Sequence, residues 1–109
     1  MTDTFENFIK RCQRVSDIFI LHRKQNKSNW SYHESINRIY EEVAELAKVK
    51  RKSEGMEREL EEASDIVLAV MAHLNLEGFS THAIQSALSQ TLEKVELRAD
   101  QVQKGTLNV

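Results

Sequence analysis

Glu61-Glu62-Ala63-Ser64-Asp65-Ile66-Val67-Leu68-Ala69-Val70-Met71-Ala72 is the stretch on which the fold turns. Leu60, Ala63, Val67, Val70 and Leu74 recur at helical intervals through it, so a helix starting near Met56 is predicted. From Ile66 to Ala72, however, that helix is apolar on every side. A helix apolar all round is normally buried all round, which in a small protein requires wrapping by the other helices or covering by a second subunit. A homo-oligomer is the expectation, and the chain is expected to pair with itself.

The composition agrees with helix throughout. The chain has no proline and three glycines among 109 residues, and it is rich in Glu, Leu, Ala, Lys and Gln, which lose little side-chain freedom in a helix. With 40% hydrophobic and 29% charged residues it has material for one domain around one modest core, so residues 1–109 are read as a single all-α domain. A formal net charge of −2 supplies no bulk attraction to nucleic acid, and no polymeric nucleic acid partner is expected. Cys12 has no second cysteine to pair with and no zinc-like spacing around it. No apolar run reaches membrane-spanning length, and the first ten residues do not read as a signal peptide, so the cytoplasm is the expected compartment and no membrane contact is expected.

Working outward, Phe5, Phe8, Ile9, Cys12, Val15, Ile18 and Phe19 predict a first helix from near Thr4 to His22 or just beyond. A polar loop containing Trp30 follows. Ser31 is placed to cap a second helix carrying Ile36, Ile39, Val43, Leu46 and Val49 on one stripe, closed by Lys48, Lys50, Arg51 and Lys52 at the negative end of its dipole. After the central helix, Leu76 to Ser80 form a break with Ser80 as the next cap. Ala83, Ile84, Ala87, Leu88, Leu92 and Val95 predict a fourth helix to around Gln101. The expected architecture is a four-helix bundle-like domain, assembled as an intertwined homodimer or a dimer of dimers.

The helix pair in the middle carries a repeat. Glu41-Glu42-Val43-Ala44-Glu45 is echoed twenty positions later by Glu61-Glu62-Ala63-Ser64-Asp65. At 3.6 residues per turn, Glu42 and Glu45 project about 60° apart, as do Glu62 and Asp65. The short connection favours antiparallel neighbours, so four carboxylates can converge. Two carboxylates ~5 Å apart at an effective dielectric of ~20 repel by roughly 3 kcal/mol, so such a cluster needs cations, protons or wide spacing. All-oxygen ligation suits a hard cation such as Mg²⁺, which leaves positions for water and substrate phosphate. A solvated Glu-rich face is the bland alternative.

The pattern Glu41-Glu42-Val43-Ala44-Glu45, then Glu62-Ala63-Ser64-Asp65 with its apolar continuation Ile66-Val67-Leu68-Ala69, resembles the MazG-like superfamily of all-α nucleoside triphosphate pyrophosphohydrolases, whose signature is EExxE followed by ExxD. The likeness covers Ile36 to Leu76. It implies hydrolysis of (deoxy)nucleoside triphosphates to monophosphate and pyrophosphate with Mg²⁺, or Mn²⁺ as substitute, in nucleotide-pool house-cleaning. By that resemblance Glu42, Glu45, Glu62 and Asp65 match the metal-binding positions, and Glu41 and Glu45 are the candidates for the catalytic base. The family's phosphate contacts from the last helix would fall to Lys94 and Arg98, and Trp30 is a candidate to stack on the base. Lys94 and Arg98 also read as mixed-charge surface, and Trp30 as a packing anchor.

Three other functions stay open at this point. A di-iron carboxylate bundle would need Glu-x-x-His pairs, and the chain has none. A phosphoribosyl-ATP pyrophosphatase shares the metal logic with a larger substrate. A non-enzymatic helical interaction module would leave both acidic pentads simply solvated. His73, in the apolar helix, is expected to be a hydrogen-bonded core histidine.

Overall fold

A computed structural model of the chain describes residues 4–25 and 31–106. They form four helices and no strand: α1 (Phe5–Gln25), α2 (Tyr32–Arg51), α3 (Met56–Leu76) and α4 (Thr81–Gln103). The all-α architecture expected from composition is present. Among the described residues no helix is long and apolar enough to cross a membrane.

The helix ends form where the sequence places them. Ser31 accepts a hydrogen bond from the Glu34 amide and Ser80 one from the Ala83 amide, each satisfying a first-turn N–H that has no partner within the helix. At the other end of α3, Gly78 takes φ 88°, the Gly78 amide donates to Asn75 O and the Phe79 amide to Leu74 O. That paired return satisfies the last carbonyls and stops the helix. The end of α2 has the same geometry, with Ser53 at φ 51°, Ser53 N donating to Lys50 O and Glu54 N to Val49 O. A serine there carries the left-handed strain that glycine avoids.

Helices α2 and α3 share the most extensive packing, α1 lies against α3, and α4 rests on α1. Three contacts step in opposite directions along α2 and α3 and show them antiparallel: Lys50 Nζ–Glu59 Oε1 at 3.3 Å, the Glu42–Glu62 approach, and Ser35 Oγ–His73 Nδ1 at 3.1 Å. Ser35 is buried and His73 half-buried, so the histidine of the apolar helix is held by a hydrogen bond, as expected. Asn75 Nδ2 donates to Asp17 Oδ1 at 2.8 Å, tying α1 to the end of α3. Thr81 Oγ1 donates to Gln13 Oε1 at 2.6 Å and ties in the start of α4.

The core is small. Ile9, Met71 and Ile84 form its buried centre, with Phe8, Cys12 and Leu74 packed against it. Burial pushes the Cys12 thiol up, against the lowering effect of Arg11. The enclosure expected for Ile66–Ala72 is not found within the chain. Ala69 and Met71 are buried, but Val67 and Leu68 remain 47% and 48% exposed, because α1 and α2 leave part of the α3 circumference uncovered. The stripes of α2 and α4 behave likewise: Val49 and Ile84 are buried, whereas Val43, Leu88, Leu92 and Val95 are exposed.

Candidate functional site

The acidic repeat converges. Glu42 on α2 and Glu62 and Asp65 on α3 each offer a carboxylate oxygen, and these three atoms lie within 4.8 Å of one another. Antiparallel packing of α2 on α3 produces this, because positions with equivalent spacing from the connecting turn face each other across the helix pair. Glu62 is only 5% exposed. Its carboxyl is held above the ordinary range, first by burial, with Arg58 pulling the other way and the charges of Asp65, Glu42 and Glu45 adding to the rise. An all-carboxylate donor set of this kind fits a hard divalent cation.

Of the four residues expected to bind metal, three are in this group. Glu45 is exposed and outside it, yet its charge still acts on Glu62. Glu41 is exposed on α2, and Glu61 is turned toward Arg58, 3.0 Å away. Lys94 and Arg98 lie on the exposed stretch of α4, and neither lines the cleft described below. Trp30 lies outside the described residues.

Two arginines that the motif reading passed over hold the cluster. Arg58 Nη2 is 2.9 Å from Glu62 Oε1, and Arg38 Nη2 is 3.9 Å from Glu42 Oε1, each pair spaced i, i+4. The twenty-residue echo therefore includes the cations as well as the acids. That spacing was available in the sequence as a helical ion-pair signal.

Beside the cluster a cleft of about 620 Å³ opens between α1 and α3, with Arg38 of α2 also lining it. Asp65 belongs to both the carboxylate group and the cleft wall. Phe8, Val15, Phe19 and Leu68 make much of the wall apolar, and Arg11 and Arg23 join Arg38 as cationic groups around it. Arg23 also reaches Glu34 at 3.8 Å, bracing α1 on α2. Ser16 lines the cleft as well, and its Oγ is a buried polar atom with no hydrogen-bond partner among the described residues. A buried hydroxyl without a partner costs ~1–3 kcal/mol. Sequence reasoning missed Ser16 because a serine on the apolar face of an amphipathic helix carries no motif.

The arrangement thus joins three converging carboxylates, three guanidiniums suited to an anion, and an aromatic-lined recess. Comparison with known proteins adds no relative: no family model, no curated protein and no solved structure matches this chain.

Proposed function

We propose that this protein is a Mg²⁺-dependent nucleoside triphosphate pyrophosphohydrolase, cleaving (deoxy)nucleoside triphosphates to the monophosphate and pyrophosphate in nucleotide-pool house-cleaning. The observation that carries the reading is the meeting of Glu42, Glu62 and Asp65, one from the first acidic motif and two from the second, with Asp65 also lining a cleft that Arg11, Arg23 and Arg38 share. The resemblance of the two motifs to the MazG-like signature supplies the reaction class.

Glu42, Glu62 and Asp65 would hold the cation. The chemistry a Mg²⁺ held by them would supply is neutralisation of phosphate charge and a lowered pKa for water. Arg38, already 3.9 Å from Glu42, lines the cleft together with Asp65, where a guanidinium can pair with phosphate oxygens. Phe8 and Phe19 offer apolar faces for a flat heterocycle. Glu45, exposed beside the cluster, is the favoured general base, with Glu41 as the other candidate.

A second reading has an observation of its own. Arg38 and Arg58 already pair with Glu42 and Glu62, so the cluster can serve as a structural ion-pair network in a non-enzymatic helical module. The two readings separate in one experiment. Pyrophosphate and phosphate release are measured from a panel of canonical and modified nucleoside triphosphates and from phosphoribosyl-ATP, with Mg²⁺ or EDTA, for wild type, Glu45→Gln and Asp65→Asn. Metal-dependent pyrophosphate release that both variants lose supports the proposal, and the preferred substrate separates a house-cleaning enzyme from a phosphoribosyl-ATP pyrophosphatase. Full activity in both variants overturns the site. No release from any substrate, together with a melting temperature unmoved by Mg²⁺ or Mn²⁺, leaves the structural network.

A further inference from the structure

Arg38 belongs to two groups at once. Its guanidinium Nη2 is 3.9 Å from Glu42 Oε1, and the same residue lines the cleft together with Asp65. Glu42 and Asp65 are in turn two of the three residues whose carboxylate oxygens lie within 4.8 Å of one another. One turn of α2 therefore joins a carboxylate of the acidic group to a guanidinium of the cleft wall.

The pair between them separates easily. At 3.9 Å it sits at the long end of an ion pair, and the Arg38 side chain is 56% exposed against 18% for Glu42. Pairs of this kind contribute little to stability, so Arg38 can exchange Glu42 for another anion at small cost. A phosphate that accepts two parallel N–H bonds is a stronger partner for a guanidinium than a carboxylate approached by one nitrogen at this distance. Arg58 is the contrast. It holds Glu62 at 2.9 Å, also reaches Glu61 and Glu54, and is not among the residues that line the cleft.

We infer that Arg38 couples the binding of substrate to the binding of metal: by pairing with a phosphate oxygen in the cleft it releases Glu42, and the released carboxylate strengthens the hold of Glu42, Glu62 and Asp65 on a divalent cation. The inference rests on the function proposed above and adds to it a regulation of the site by its own substrate. Without substrate, Arg38 offsets part of the negative charge at Glu42 and so competes with the cation. With substrate, that positive charge passes to phosphate. By linkage the effect is reciprocal, so a cation held by the carboxylates favours the pairing of Arg38 with phosphate to the same degree.

The test is isothermal titration calorimetry on wild type, Arg38→Met and Arg58→Met. Each is titrated with Mg²⁺ alone, with the α,β-methylene analogues of the deoxynucleoside triphosphates in EDTA, and with each ligand in the presence of the other. The analogues resist cleavage between the α and β phosphates, so binding is read without turnover. Their chelation of Mg²⁺ in solution is the same for every protein and cancels in the comparison. Arg38→Met is expected to bind Mg²⁺ alone about threefold more tightly and the analogue alone about tenfold more weakly, with the mutual enhancement reduced about threefold or more. Arg58→Met is expected to bind Mg²⁺ more tightly while the enhancement stays at the wild-type value. Circular dichroism checks the fold of each variant, and Arg38→Gln is the second variant on which the same three affinities are read. Weaker analogue binding with Mg²⁺ affinity and enhancement unchanged overturns the inference and leaves the proposed function standing. A wild-type protein that binds neither Mg²⁺ nor any analogue overturns the proposed function, and the inference with it.

Discussion

Arg58 Nη2 lies 2.9 Å from Glu62 Oε1, one helical turn ahead of it on α3, and the same guanidinium reaches Glu61 at 3.0 Å. Glu62 is the most buried member of the carboxylate group, and Arg58 is the cation that the chain itself supplies to it. A divalent ion at the cluster and the Arg58 guanidinium therefore compete for one carboxylate. Replacing Arg58 by Met keeps the aliphatic stem and removes the charge. The variant is expected to melt lower than wild type in EDTA and to gain more from Mg²⁺, with metal affinity changed on the order of tenfold. Thermal melts across a Mg²⁺ titration measure both, and an unchanged Mg²⁺ response in the variant counts against a metal at Glu62.

The raised Glu62 carboxyl gives a pH dependence with a definite direction. Its folded-state pKa lies above the ordinary glutamate value, so the folded chain binds the proton more tightly than the unfolded chain. Without metal, the Glu62 contribution disfavours the fold above the raised pKa, and this cost is relieved as pH falls through that value toward the unfolded one. Metal binding runs the other way, because the proton and the cation compete for the carboxylate. Melts in EDTA and in saturating Mg²⁺ across the acidic range should show the Mg²⁺ increment shrinking as pH falls. Glu62→Gln should remove this contribution from both series.

Ser16 offers a trade between stability and binding. Its Oγ is buried without a partner, so Ser16→Ala is expected to stabilise the chain by about 1–2 kcal/mol in urea denaturation. If that hydroxyl meets a bound nucleotide, the same change raises KM by about three- to tenfold with kcat little altered. A variant that is both less stable and kinetically unchanged would remove Ser16 from the ligand-binding surface.

At the end of α2, Ser53 occupies the left-handed position that Gly78 fills at the end of α3. Ser53→Gly is expected to stabilise the fold by about 0.5–1 kcal/mol, the left-handed strain removed exceeding the added freedom of the unfolded chain. Because the α2–α3 turn sets the register of Glu42 against Glu62, the metal response should be preserved. Chemical denaturation of the two proteins side by side measures the change.

Local rules were strong enough to be read without coordinates. The serine caps at Ser31 and Ser80, the breaks near Gly55 and Gly78 and the helical spacing of the stripes place all four helices. These are decided by backbone groups and residues within a turn or two of each other. The acidic repeat was legible for the same reason, since two helices joined by a short turn have little choice but to pack antiparallel. Burial was not legible. Leu88, Leu92 and Val95 have the pattern of a core stripe and lie exposed within one chain, because periodicity reports an apolar face without naming what covers it.

By itself the sequence determined an all-helical chain, its four segments, and the pairing of one acidic motif with the other, because propensity, capping and turn length act over short distances along the chain. Only the tertiary structure decided which carboxylates meet and what answers their charge. Glu62 and Asp65 join Glu42 while Glu45 stays outside, Arg38 and Arg58 take the neighbouring carboxylates, and Ser16 turns from an unremarked helix residue into an unpartnered hydroxyl beside a cleft. The rotation of each helix about its own axis and the angle at which α1 crosses α3 settle these contacts, and both are set by packing between residues far apart in the chain.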